Sequence, residues 1–143
     1  MPRLNPGRSP FPQAKEDPST VLVVEDDELV RLVICDYLQD CGFNVFGAAT
    51  VAESIDILQS AETRIDLVFS DIRLSGERDG IDLAHWVRQN RAGLPVILTS
   101  GDTARSAAVT ELCRVHNMPF FAKPYDTVRV VAEIRELVEE SRR

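Results

Sequence analysis

Residues 21–30 read VLVVEDDELV. Four apolar residues run without a break into four carboxylates, Glu25, Asp26, Asp27 and Glu28. A strand that is apolar on both faces belongs in a sheet covered on both sides, which is the habit of parallel sheets. The carboxylates then stand together at the carboxyl end of that strand. From there the chain alternates. TVLVV at 20–24 predicts a first strand, and residues 28–41 a helix, with Leu29, Leu32, Val33, Tyr37 and Leu38 at helical spacing and Gly42 as its C-cap. FNVFGA at 43–48 predicts a second strand, after which Thr50 and Glu53 have the capping-box spacing that opens a helix to about Ala61. IDLVFS at 65–70 is a third strand, DIRLSGERDG a loop, and Ile81–Asn90 a helix. PVILTS at 95–100 is a fourth strand, with Pro95 suited to its first position. Asp102 is expected to cap a helix over 103–115, MPFFA at 118–122 to form a fifth strand, and Asp126 to cap a last helix to about Glu140.

Five such units predict an α/β fold, a doubly wound five-stranded parallel sheet of the flavodoxin-like (βα)5 type in the order 2-1-3-4-5. In that order strands 1 and 3 are neighbours, and a site is expected beyond their carboxyl ends. Residues 1–18 hold five of the eight prolines and read as a disordered tail or linker, leaving 19–143 as one domain.

The chain of 143 residues carries a formal charge of -7. The tail contributes +1 (Arg3, Arg8 and Lys15 against Glu16 and Asp17), so the domain carries -8. A surface so acidic disfavours nucleic acid and anionic membrane as partners. No apolar run is long enough to span a bilayer, and no signal peptide is visible. Three cysteines, Cys35, Cys41 and Cys113, lack CxxC spacing and fit a reducing cytoplasm rather than disulfides or a zinc site.

The strand ends gather chemistry. The first ends in Glu25 and Asp26, the third leads into Asp71, the fourth ends in Thr99 and Ser100, and the fifth leads into Lys123 and Pro124. Carboxylates packed together resist ionisation unless a cation relieves them. Mg2+ accepts one or two carboxylates together with waters and phosphate oxygens. A carboxylate beside such a cation and a lysine can act as a nucleophile and form an aspartyl phosphate.

VLVVEDD, DLVFSDIRL, DGIDLA, PVILTSG and FFAKPY, in that order, resemble the response-regulator receiver domain, the phosphoacceptor half of two-component systems. The resemblance covers about residues 20–140. It implies phosphorylation of Asp71 by a histidine kinase or phosphotransfer protein. It implies Mg2+ held by Asp26, by Asp71, by the backbone carbonyl of Arg73, and by Glu25 in a supporting part. Thr99 matches the switch hydroxyl, Ser100 the small residue after it, Lys123 the site lysine and Phe120 the aromatic switch position, while Lys123-Pro124 matches a peptide that is usually cis. The face built from helix 4, strand 5 and helix 5 is expected to meet an output protein, and a homodimer stays open. Asp27 and Glu28 are expected only to start the first helix.

Departures are visible. Ser75 stands where the pattern usually has proline, and the loop after Asp71 is one residue longer than usual. Phe120 lacks a tyrosine hydroxyl, and Arg73 and Gly101 occupy positions that tune phosphoryl lifetime in the family. A haloacid-dehalogenase-like phosphatase is excluded, because its nucleophile sits on the first strand with a second Asp two positions on, where this chain has Arg73 after Asp71. A flavin module is excluded because EDDE offers acceptors where a phosphate needs donors. A receiver-like docking module that works without phosphorylation is the remaining alternative.

Overall fold

The computed structural model describes residues 18–101 and 106–143. Its elements alternate throughout: β1 (Thr20–Val24), α1 (Glu28–Asp40), β2 (Asn44–Ala48), α2 (Val51–Gln59), β3 (Leu67–Asp71), α3 (Gly80–Asn90), β4 (Val96–Ser100), α4 (Ala107–Val115), β5 (Phe120–Ala122) and α5 (Thr127–Ser141). The five strands form one parallel sheet in the order β2-β1-β3-β4-β5. This is the predicted doubly wound topology.

Two cores explain why VLVV is apolar without interruption. Val21 and Val23 pack with Leu38 of α1 and with Val130, Ile134 and Val138 of α5 on one face. Leu22 and Val24 pack with residues of α2, α3 and α4 on the other, among them Leu58, Leu83 and Leu112. Trp86 lies against this second core. At the amino edge of the sheet, Asp66 accepts from the Thr20 amide at 2.8 Å and pairs with Arg64 and Arg142.

The caps refine the predicted boundaries. Asp27 caps α1 by accepting from Val30 N, Glu28 lies in its first turn, and Gly42 follows the cap residue Cys41 with a left-handed φ of 101°. Thr50 caps α2, but the Glu53 carboxylate reaches past it to the Ala49 amide, and the helix stops at Gln59 rather than Ala61. α3 begins one residue early, because Asp79 and Asp82 form a reciprocal capping box. α4 begins at Ala107 with Ser106 as its cap, later than position 103. The expected cap Asp102 and the residues after it to 105 lie outside the described residues, as does nearly all of the expected tail at 1–18. β5 is three residues long rather than five.

Candidate functional site at the carboxyl edge of the sheet

Each predicted strand end delivers its residue to one edge. β1 delivers Glu25, which is 4% exposed, and Asp26, which is open to solvent. β3 ends in Asp71, 9% exposed, and parallel pairing sets Thr99 of β4 directly beside it. Thr99 and Ser100 are both buried. Backbone bonds lock these ends together: Ile72 N donates to Thr99 O at 2.8 Å, and Lys123 N donates to Ser100 O at 2.9 Å. The Lys123-Pro124 peptide is cis.

Lys123 draws the edge into one cluster. Its Nζ donates to Asp71 Oδ2 at 2.9 Å and to Glu25 Oε1 at 3.1 Å. The Asp71 carboxylate also accepts from the Arg73 amide, at 3.3 Å on Oδ1. Glu25 is held from several sides, since its carboxylate accepts from Asp27 N and its backbone carbonyl accepts from Arg31 Nη1 at 2.8 Å. Burial pushes the Glu25 carboxyl above its usual range, and the Asp71 charge adds to this, while the Asp27 amide and Lys123 pull it back. Burial works against the charged form of Lys123 as well, but its bonds to Asp71 and Glu25 prevail and hold its pKa above the usual lysine value.

Asp26 is placed differently. Its Oδ2 accepts from Ser75 Oγ at 2.9 Å, across the mouth of the β3–α3 loop. Among the described residues no three His, Cys, Asp or Glu side chains converge as a closed metal cage. Mg2+ does not ask for one, because it keeps several waters and uses one or two carboxylates. Three carboxylates against one ammonium leave a formal charge of -2 at this edge, and such an oxygen-rich donor set, with Asp26 open to solvent, fits a hard divalent cation. Arg73 is exposed, one residue beyond Ile72 in the loop. Phe120 is half-buried against the α2–α4 core.

Three contributors are not evident from sequence alone. Gly80 donates its amide to Ile72 O at 2.7 Å, and a Cβ at this position would collide with the Asp71 carbonyl oxygen and lie 2.8 Å from Ile72 Cα. The only local signal is the Asp79-Gly80 pair. Tyr125 follows the cis proline, and its ring stands edge-on to Phe69 and Phe121, with centroids 5.8 and 6.5 Å away, within reach of the charges of Lys123, Glu25 and Asp71. Ser75 appears in the sequence merely as a departure from the receiver pattern.

The profile of the family described as "Response regulator receiver domain" matches residues 21–135. The chain belongs to that family. This receiver domain is 30% identical over 122 residues to "Sensor kinase CckA" of Brucella abortus, covering 85% of the chain and 13% of that protein. It is 31% identical over 120 residues to "Putative response regulator NtrX-like" of Rickettsia bellii, covering 83% of the chain and 24% of that protein. The receiver thus spans a small part of the length of these relatives. Its fold is similar to that of a CheY-like receiver domain protein from Methanospirillum hungatei, with a TM-score of 0.77 and 21% identity, over 87% of this chain and 97% of that one. No helix among the described residues is long and apolar enough to cross a membrane.

Proposed function

We propose that this receiver accepts a phosphoryl group on Asp71 from a histidine kinase or phosphotransfer protein in the cytoplasm, and that the change switches its binding to an output partner. The observation that carries this reading is the Lys123 ammonium bonded at once to Asp71 and Glu25 at a carboxylate-rich sheet edge. In the transfer, an Asp71 carboxylate oxygen bonds to phosphorus while the bond from phosphorus to the donor's histidine nitrogen breaks, its electron pair staying on nitrogen. There is little covalent work for the protein beyond positioning and charge neutralisation.

The residues divide this work. Lys123 and the Arg73 amide hold the Asp71 carboxylate in place. Asp26, Asp71 and the Arg73 carbonyl would hold Mg2+, with Glu25 behind them. The bound ion supplies charge neutralisation for the phosphoryl oxygens. Thr99, next to Asp71 in the register, gives a hydroxyl that bonds a phosphoryl oxygen only after transfer, and Phe120 follows it inward. Exposed Leu29, Leu32 and Val33 on α1 offer a donor protein an apolar surface close to the acceptor. Exposed Val115 of α4 and Val128 of α5 do the same for an output partner on the α4–β5–α5 face.

The test is incubation with acetyl phosphate and intact-mass measurement. We expect a gain of one phosphoryl group that needs Mg2+, is blocked by EDTA and is absent in Asp71→Asn. Labelling of Asp71→Asn at the wild-type rate would refute the site.

A further inference from the structure

We propose that Ser75 is a positioning residue for the divalent-cation site, its hydroxyl setting the Asp26 carboxylate; this rests on the reading of the site given above. The Ser75 Oγ–Asp26 Oδ2 bond of 2.9 Å joins residues 49 apart in sequence. It spans two separate suppliers of cation ligands, the end of β1 and the β3–α3 loop. The loop is anchored at its base, where Gly80 N meets Ile72 O at 2.7 Å and Arg73 N meets Asp71 Oδ1 at 3.3 Å. Ser75, two residues after Arg73, fastens the loop's middle to Asp26. One hydroxyl therefore ties the Asp26 carboxylate, through Oδ2, to the loop that carries the Arg73 carbonyl.

The physical argument concerns orientation. An exposed aspartate rotates about both side-chain torsions, and each cation-binding event must freeze them. A hydroxyl that already holds one oxygen removes that cost, as outer-shell partners of metal ligands do. The bond is solvent-exposed, so its contribution to fold stability is small. Its effect belongs to ligand geometry. A proline at position 75, which the receiver pattern usually carries, has no hydroxyl with which to do this.

The experiment is a Mg2+ titration followed by amide NMR shifts without any phosphodonor, on wild type, Ser75→Ala, Ser75→Thr and Asp26→Asn, with urea melts of each in EDTA. We expect Ser75→Ala to raise the Mg2+ Kd about tenfold, the low end for loss of an outer-shell partner. Ser75→Thr keeps the hydroxyl and should stay near wild type, while the urea midpoints of the two Ser75 variants match wild type. Equal or tighter Mg2+ binding in Ser75→Ala overturns the proposal, and so does a loss in Ser75→Thr as large as in Ser75→Ala. Absence of saturable Mg2+ shifts in the wild type itself would overturn the cation reading of the site, and this inference with it.

Discussion

Gly80 shows how little room surrounds Asp71. Its amide closes the β3–α3 loop on Ile72, and its missing side chain lets the start of α3 press on the Asp71 carbonyl. The obstacle to a methyl group is backbone, which cannot rotate aside. Gly80→Ala should therefore cost about 1–3 kcal/mol, the usual range for overpacking, measured by urea unfolding. It should slow acetyl-phosphate labelling as well, since relief of the clash moves the residue that is labelled. Unchanged stability and labelling would mean that the loop yields more freely than its hydrogen bonds imply. The strand-end rule is what brings Glu25, Asp26, Asp71, Thr99 and Lys123 to attention in the sequence. Gly80 and Ser75 escape that rule because they lie in a loop, and a loop's contacts are decided by what it folds against. No local pattern ties position 75 to position 26.

Among the elements, α5 carries a conflict on its surface. Glu133, Glu136 and Glu140 recur at helical spacing. Burial raises the Glu133 carboxyl above its ordinary value of 4.5, and the charges of Glu136 and Glu140 raise it further. The folded chain thus holds that proton more tightly than the unfolded chain does, and ionising Glu133 subtracts from stability. The penalty is absent below pH 4.5 and complete above the raised folded value. Glu133→Gln should accordingly stabilise the domain at pH 7 by a few tenths of a kcal/mol, as relief of like charges on a helix does. The gain should vanish below pH 4.5, as read from thermal melts across that range. Element boundaries were legible where one cap dominates, as Asp27 does for α1 and Asp126 for α5. They were less so where cap residues compete. The expected cap of α4 is Asp102, whereas the helix begins at Ala107 with Ser106, also a good capping type, as its cap. The α3 capping box uses Asp82 where Glu or Gln is the usual partner, so the pattern hides its first residue.

At the scale of the molecule, the sheet order follows from short, mostly apolar strands that alternate with helices and from right-handed crossovers, a pattern that can be read in sequence. The distances within the site cannot, because they come from parallel register across four strands. The pairs that make the site are remote along the chain: 98 residues separate Glu25 from Lys123, and 52 separate Asp71 from Lys123. Acetyl-phosphate labelling should consequently fall along the same urea curve as far-UV circular dichroism, as for a single cooperative unit. Labelling that outlasts the circular-dichroism midpoint would mean that a fragment of the sheet suffices.

Lys123 follows β5, the last strand and an edge of the sheet, so the ammonium that bonds Asp71 and Glu25 reaches them only when the final strand has docked. Asp71 lies 52 residues earlier in the chain and stands without that partner until then. A chain stalled halfway, or one frayed at its edge strand, carries the aspartate without the ammonium that holds it. The order of the strands thus makes the completed cluster the mark of a chain that has finished folding.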